Sequence, residues 1–168
     1  MLAPVSLVVR HPEYDVLMAR LCAERRLRDA LASGAVDRFG SDSLESHFWG
    51  ALGEIAAARA LRLDWSCRSR VWAEEDIAGY EVRSVPPGTE PYVKAKPNDP
   101  DARRILLVVH RSERLSLVEG WTTAGEVKAA APLSDPGRRG APCHLVRDLT
   151  ILHPASGLTA WPATVPFT

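Results

Sequence analysis

A helical segment in which one glutamate is surrounded by small residues is the strongest constraint on how this chain can fold. The segment reads GALGEIAAARAL, and the positions three, four and seven residues from Glu54 are Gly50, Ala51, Ala57, Ala58 and Leu61. Because small side chains let a helix lie close against a sheet, the pattern predicts that Glu54 sits in a tight, partly dry contact. A buried carboxylate of this kind needs a partner.

A second acidic pattern follows in the segment DIAGYEVRSV, where Asp76 precedes a predicted strand from Tyr80 to Val85. The two-residue period of a strand places Glu81 and Arg83 side by side on one face. Carboxylates that converge without matching cations cost several kcal/mol. Convergence of Glu54, Asp76 and Glu81 would therefore indicate a metal site, whereas a separate arginine on each acid would indicate a domain without such chemistry.

The chain has the size and composition of one globular domain. It has 168 residues, of which 46% are apolar and 25% charged. We expect a single domain over residues 1–154, with an N-terminal strand and helix in 1–43, a core in 44–154, and an irregular tail in 155–168. The formal net charge is zero, so any contact with DNA must be local rather than a general attraction to nucleic acid.

Neither a membrane segment nor a cysteine framework is indicated. The strongest apolar run, Ile105 to Val109, is far shorter than the roughly 20 residues of a membrane span, and no secretory signal is recognisable, so we expect a cytoplasmic protein. Cys22, Cys67 and Cys143 are widely spaced and form no CxxC pair. They are expected to be reduced, structural thiols.

Periodicity along the chain predicts alternating strands and helices, and hence an α/β fold. In the first helix an apolar stripe of Val16, Leu17, Leu21, Leu27 and Leu31 is expected to be half-buried and the arginines solvated. The predicted elements are a strand at Val5–Val9, a helix from Pro12 to Gly34, a helix capped by Ser41 or Ser43, strands at Arg68–Trp72, Tyr80–Val85, Tyr92–Lys96, Ile105–Val109 and Leu115–Glu119, a helix at Ala124–Ala130 capped by Thr122 or Thr123, and an edge strand at His144–Val146.

The acidic residues are of the type that Mg²⁺ requires, with Mn²⁺ as the alternative ion. Asp76 and Glu81 would hold the ion, the carbonyl of Val82 could contribute, and Glu54 could bind a metal-bound water or a second ion. Arg83 would stabilise the negative charge that develops on a phosphate. It cannot act as a general base, because its guanidinium stays protonated.

Four segments carry a resemblance to a known superfamily. GALGEIAAARALRL, DIAGYEVRSV, ILLVVHRSERLSLVEGWTTAGEV and PCHLVRDLTILHP, within about Leu44 to Pro154, resemble uncharacterised phage and bacterial proteins of the PD-(D/E)XK nuclease superfamily. The resemblance implies a restriction-endonuclease-like fold with a mixed central β-sheet flanked by helices. It also implies metal-dependent cleavage of DNA, with Glu54, Asp76 and Glu81 facing the metal. A homodimer is compatible with this type of fold, although the sequence does not specify one.

One departure from the superfamily leaves two functions open. Arg83 replaces the motif lysine, which removes a side chain that can lose a proton. Lys94 and Lys96, expected on the neighbouring strand, are alternative sources of an amine, although exposed lysines also protect strand edges from aggregation. The chain is thus expected to be either a Mg²⁺-dependent nuclease or a catalytically silent module for binding or assembly in a phage or mobile element.

Overall fold

The fold is a mixed α/β arrangement, as the sequence predicts. A computed structural model describes residues 6–33, 43–67, 76–134 and 142–158, so the predicted strand Arg68–Trp72 lies outside the described residues. None of the helices in these ranges is long and apolar enough to cross a membrane. The elements are β1 (Leu7–Arg10), α1 (Glu13–Ala32), α2 (Leu44–Ala60), β2 (Tyr80–Val85), β3 (Val93–Ala95), β4 (Arg104–Ser112), β5 (Leu115–Thr123), α3 (Ala124–Ala130), β6 (Leu133–Ser134), β7 (Cys143–Val146) and β8 (His153–Pro154).

The larger sheet is mixed and has the strand order β1-β5-β4-β2, with β8 also paired to β5. Strand β2 runs parallel to β4, whereas β4 and β1 both pair antiparallel with β5. The predicted strands Ile105–Val109 and Leu115–Glu119 thus lie in β4 and β5, which pair with each other. Residues Ile105–Val109 are at most 2% exposed, because they are covered on both faces of the sheet.

A second, three-stranded sheet with the order β3-β7-β6 lies on one face of the larger sheet. The strand predicted at His144–Val146 is confirmed as β7. Its predicted edge position is wrong, because β7 lies between β3 and β6. The expectation that Lys94 and Lys96 lie on the strand next to β2 is also wrong. The turn after β2 leads the chain away from the larger sheet, so that Val93 and Ala95 enter a core cluster facing it.

Helix α2 covers the opposite face of the larger sheet, and α1 packs on α2. Small residues set how closely these elements pack. Gly53 of α2 lies directly against Ser84 and Val82 of β2, as the small-residue pattern predicts. Ser43 caps α2 by accepting a hydrogen bond from the backbone N–H of Ser46. The helix thus begins at a fixed point and rests on the sheet with little space between them.

The buried face of α1 differs from the predicted one. Leu17, Leu21 and Leu31 are at least half exposed, while the residues that pack toward α2 are mostly small. These buried positions are Val16, Ala19, Cys22 and Ala23. The prediction from the leucine stripe is wrong here because two closely packed helices select residues by size as well as by hydropathy.

A disulfide joins Cys22 of α1 to Cys67, which follows α2, with their Cα atoms 5.6 Å apart. The expectation of reduced thiols is therefore wrong for this pair, while Cys143 is free and buried. The two half-cystines are separated by 45 residues, so only the packing of α1 against α2 brings them together. No local spacing in the sequence carries that information.

Ala155 extends the core beyond the predicted end of the domain at residue 154. It is 1% exposed and belongs to the same apolar cluster as residues of β4 and β5. A short 3₁₀ turn at Ala155–Gly157 holds it there. Residues 159–168, most of the predicted tail, lie outside the described residues.

Replacing Gly53 with alanine tests the close packing of α2 on β2. The new Cβ would lie 1.8 Å from Oγ and 3.0 Å from Cβ of Ser84, so the Ser84 hydroxyl must rotate and the helix and strand must separate slightly. We expect a loss of about 1–3 kcal/mol in the free energy of unfolding, measured by urea denaturation. Gly50→Ala, in the same helix with nothing within 4 Å, is the control and should gain about 0.5–1 kcal/mol. Equal effects of the two substitutions would contradict the packing described.

Breaking the disulfide should lower stability because the unfolded chain gains freedom. For a loop of 45 residues, the chain-entropy relation gives roughly 4 kcal/mol. We expect Cys22→Ser and Cys67→Ser each to lower the melting temperature, and a reductant to lower that of the wild type but not of either variant. Cys143→Ser is the control for loss of a thiol. A reductant-insensitive wild type with three titratable thiols would show that the bond is absent.

Candidate functional site

Glu54 lies in the dry contact that its sequence predicts, and its partner is Arg26 of α1. The carboxylate is bound at both oxygens, with Nη1–Oε1 at 2.7 Å and Nη2–Oε2 at 2.8 Å. The indole Nε1 of Trp65 also donates to Oε2, at 3.1 Å. Glu54 is 7% exposed, so this is a largely buried ion pair.

Sequence reasoning missed Arg26, because it treated the arginines of α1 as a solvated face. The signal lies in helical spacing, since Arg26 follows Cys22 by four residues and Ala23 by three, and both are buried. A search for small buried residues, rather than for leucines, would have placed Arg26 toward α2. Helical spacing thus indicates the side of α1 on which Arg26 lies, whereas its pairing with Glu54 depends on how α1 packs against α2.

Asp76 lies beside β2 and experiences the charges of the other two acids. Its Oδ2 accepts a hydrogen bond from the backbone N–H of Val82, at 2.8 Å. Desolvation of the carboxylate, followed by the charge of Glu54, raises the pKa of Asp76 to about 6; Glu81 raises it further, while Val82 and Arg26 oppose the shift. Glu54, Asp76 and Glu81 are therefore close enough for their charges to interact.

Glu81 is held by two arginines. It forms ion pairs with Arg83 on its own strand and with Nη1 of Arg103, the latter at 3.2 Å. Arg103 also contacts Asp99, at 3.0 Å. The carboxylate is about one fifth exposed, so these contacts leave it partly accessible.

The three acids reach β2 from different sides. Glu81 and Arg83 are in register with Ile105 and Leu107, on the face away from α2. Glu54 belongs to α2 on the other face, and Asp76 binds the backbone of β2 between them. The acids are arranged around the strand rather than side by side in one cavity.

The geometry supports a metal site of two carboxylates more readily than one of three. Among the described residues, no three His, Cys, Asp or Glu side chains lie close enough to hold one ion together. Asp76 and Glu81 provide carboxylate oxygens, the donors that Mg²⁺ prefers, and Mg²⁺ commonly takes only one or two from a protein. Desolvation is the main cause of the raised pKa of Asp76, and the charges of Glu54 and Glu81 add to it. A divalent cation would relieve this second contribution. The residues present thus fit such an ion.

A groove of about 650 Å³ lies between the start of α2 and the end of β2. Arg83 and Lys94 both line it, although Lys94 comes from the second sheet. Burial, and then the nearby charge of Arg83, lowers the pKa of Lys94. The sequence did not predict this groove, because it depends on how the turn after β2 places β3.

A separate buried network joins α1 to the sheet. His11 contacts Asp15 at 3.3 Å and Ser116 at 2.7 Å, and His110 contacts the same serine hydroxyl at 2.8 Å. The order of acid, imidazole and hydroxyl resembles a catalytic triad. However, Ser116 is fully buried and Asp15 is bound at both oxygens by Arg59. A substrate cannot reach this serine, so the network is structural.

No protein-family model matches this chain, and no curated protein or solved structure matches it either. Function is therefore inferred from the side chains around β2. They provide carboxylates on different sides of the strand and a neighbouring groove lined by Arg83 and Lys94.

The raised pKa of Asp76 predicts a specific dependence of stability on pH. The pKa of Asp76 is about 6 in the folded protein, compared with 3.8 for an unperturbed aspartate. The native state therefore binds this proton more tightly than the unfolded state does. The stability from this group is present below pH 3.8 and is lost as the pH rises through about 6. Asp76 is at an exposed position, so solvent screens part of this effect. Asp76→Asn should reduce the loss and be modestly more stable than wild type at neutral pH.

Thermal unfolding across that pH range measures the effect. Asp64→Asn, at an exposed position, removes the same charge outside the cluster and is the control. A lower melting temperature for Asp76→Asn at neutral pH, or an unchanged pH profile, would contradict the interaction among the acids.

Proposed function

We propose that this chain is a divalent-metal-dependent deoxyribonuclease with a restriction-endonuclease-like fold. The observation that carries the proposal is that Asp76 binds the backbone N–H of Val82, the residue between Glu81 and Arg83 on β2. Two carboxylates and a guanidinium thus flank one segment of this strand. The mixed sheet, with helices on one face and a smaller sheet and helix on the other, is compatible with that fold.

Each residue has a distinct role in this proposal. Asp76 and Glu81 hold Mg²⁺ or Mn²⁺, while Glu54 acts behind Asp76 and adds negative charge near the ion. When bound, the ion would lower the pKa of a coordinated water and so supply hydroxide near neutral pH. Arg83 donates hydrogen bonds to phosphate oxygens and stabilises the charge that builds on them.

Metal binding requires the ion pairs between Glu81 and its two arginines to rearrange. Arg83 and Arg103 neutralise Glu81 in the absence of an ion. To hold a cation, Glu81 must give up part of these contacts, which releases Arg83 toward a phosphate. Arg26 can stay on Glu54, because that pair is buried and bound at both oxygens.

A second candidate function is a catalytically silent module that binds DNA or assembles with other proteins. The bidentate pair of Arg26 and Glu54 favours it, since an acid already neutralised has less need of a cation. The arginine at position 83 favours it as well, because a guanidinium cannot take a proton from water. The two functions differ in whether a metal binds.

Cleavage of plasmid DNA in Mg²⁺ or Mn²⁺ tests the first function. We expect cleavage that EDTA abolishes, and at least about a 100-fold loss of rate in Asp76→Ala and Glu81→Ala, because these substitutions remove the proposed ligands. Glu113→Ala, which breaks an exposed pair with Arg20, is the control and should retain full activity. Undiminished cleavage by both site variants would show that the activity belongs elsewhere.

Thermal shift separates the second function from the first. A cation that binds only the native state raises the melting temperature, so the nuclease predicts a Mn²⁺-dependent rise that Asp76→Ala removes. The silent module predicts no rise and no cleavage. A rise of equal size in wild type and Asp76→Ala would contradict the proposed metal site.

A further inference from the structure

We infer that the groove between the start of α2 and the end of β2 binds the phosphate of a nucleic-acid strand, with Arg83 and Lys94 as its cationic residues. The inference deepens the proposed function, since it assigns the place where the substrate strand lies. The groove has a volume of about 650 Å³, within the range of about 300–1,000 Å³ that is usual for ligand sites.

Arg83 has a hydrogen-bond donor, its Nε, with no acceptor among the residues that the structure describes. Its side chain lines the groove, and one terminal nitrogen contacts Glu81. Its Nε is buried and has no hydrogen-bond partner in the part of the chain that the structure describes. Leaving a buried donor unsatisfied is unfavourable. The guanidinium would therefore gain hydrogen bonds if it turned from Glu81 toward a phosphate in the groove.

Lys94 brings a second cation into the same groove. The neighbouring residues Val93 and Ala95 are fully buried, which fixes the strand from which the lysine projects. In the described ranges Lys94 has no ion pair, and the charge of Arg83 and burial together lower its pKa. An anion between the two cations would relieve their repulsion, so the groove is suited to a negatively charged ligand.

The lining favours a nucleotide over a simple anion. Tyr92 is a partly exposed aromatic residue in the groove, and an exposed ring of this kind can stack on a base. Glu45 is the carboxylate among the lining residues, and it already accepts a hydrogen bond from Trp49 at 3.4 Å. The position beside Arg83 and Glu81 places a bound phosphate next to the proposed cleavage site. A local site of this kind also accommodates a chain whose net charge is zero.

Binding without metal tests the inference independently of cleavage. The probe is a short fluorescein-labelled oligothymidylate in EDTA, followed by fluorescence anisotropy at several salt concentrations. Lys94→Ala should weaken binding about 10-fold and reduce the salt dependence by about one counterion. Lys94→Met, which keeps the aliphatic stem, should show the same loss if the charge is responsible. Lys96→Ala removes the same charge from an exposed position two residues away and should have little effect.

The outcomes discriminate between sources of phosphate and between proposals. Equal weakening by Lys96→Ala and Lys94→Ala would overturn the assignment to the groove. Competition by inorganic phosphate or thymidine monophosphate as tight as the oligonucleotide would overturn a site for a strand. Lys94-dependent binding with no cleavage in Mg²⁺ or Mn²⁺ would leave the inference standing and reject the nuclease. If metal-dependent cleavage occurs but Lys94→Ala binds the oligonucleotide as tightly as wild type, the inference is rejected and the nuclease proposal stands.

Discussion

The arrangement around β2 depends on the buried ion pair between Arg26 and Glu54. Both carboxylate oxygens are bound, so the helices α1 and α2 are joined by a contact that tolerates little displacement. Removing one partner of such a pair typically costs about 3–5 kcal/mol, because the other charge stays buried and uncompensated. The same pair also sets the electrostatic environment of Asp76, since Glu54 raises its pKa while Arg26 lowers it.

Covalent and packing contacts hold the region around this ion pair in place. The disulfide links Cys22, one helical turn before Arg26, to Cys67, two residues after the indole that donates to Glu54. On the other side of α2, Gly53 lies against β2. Glu54 is therefore placed by a helix and Glu81 by a strand, as a site with a fixed geometry requires. Asp76 lies in a bend before β2, where the backbone N–H of Val82 holds its carboxylate. The groove with its two cations, Arg83 and Lys94, lies at the end of β2 and the start of α2.

Local patterns predicted the elements and the burial of Glu54, whereas contacts between distant segments were missed. The small neighbours of Glu54, the alternation of Glu81 and Arg83, and a threonine cap at Thr122 or Thr123 are each visible within a few residues. The structure has all three, with Thr123 as the cap. The disulfide, the arginine on Glu54 and the second sheet require knowledge of how α1, α2 and β3 are placed in space. The catalytic and metal-binding roles of these side chains, and the restriction-endonuclease-like fold, stay predictions.

We propose that Asp76 and Glu81 form a cation site beside a phosphate groove. Anomalous diffraction from crystals soaked in Mn²⁺ tests this most directly. We expect an anomalous peak bound by the carboxylates of Asp76 and Glu81, with Glu81 turned away from Arg83 and the pair of Arg26 and Glu54 intact. The proposal would be contradicted if crystals soaked in excess Mn²⁺ showed no anomalous peak at these carboxylates and Glu81 stayed bound to Arg83.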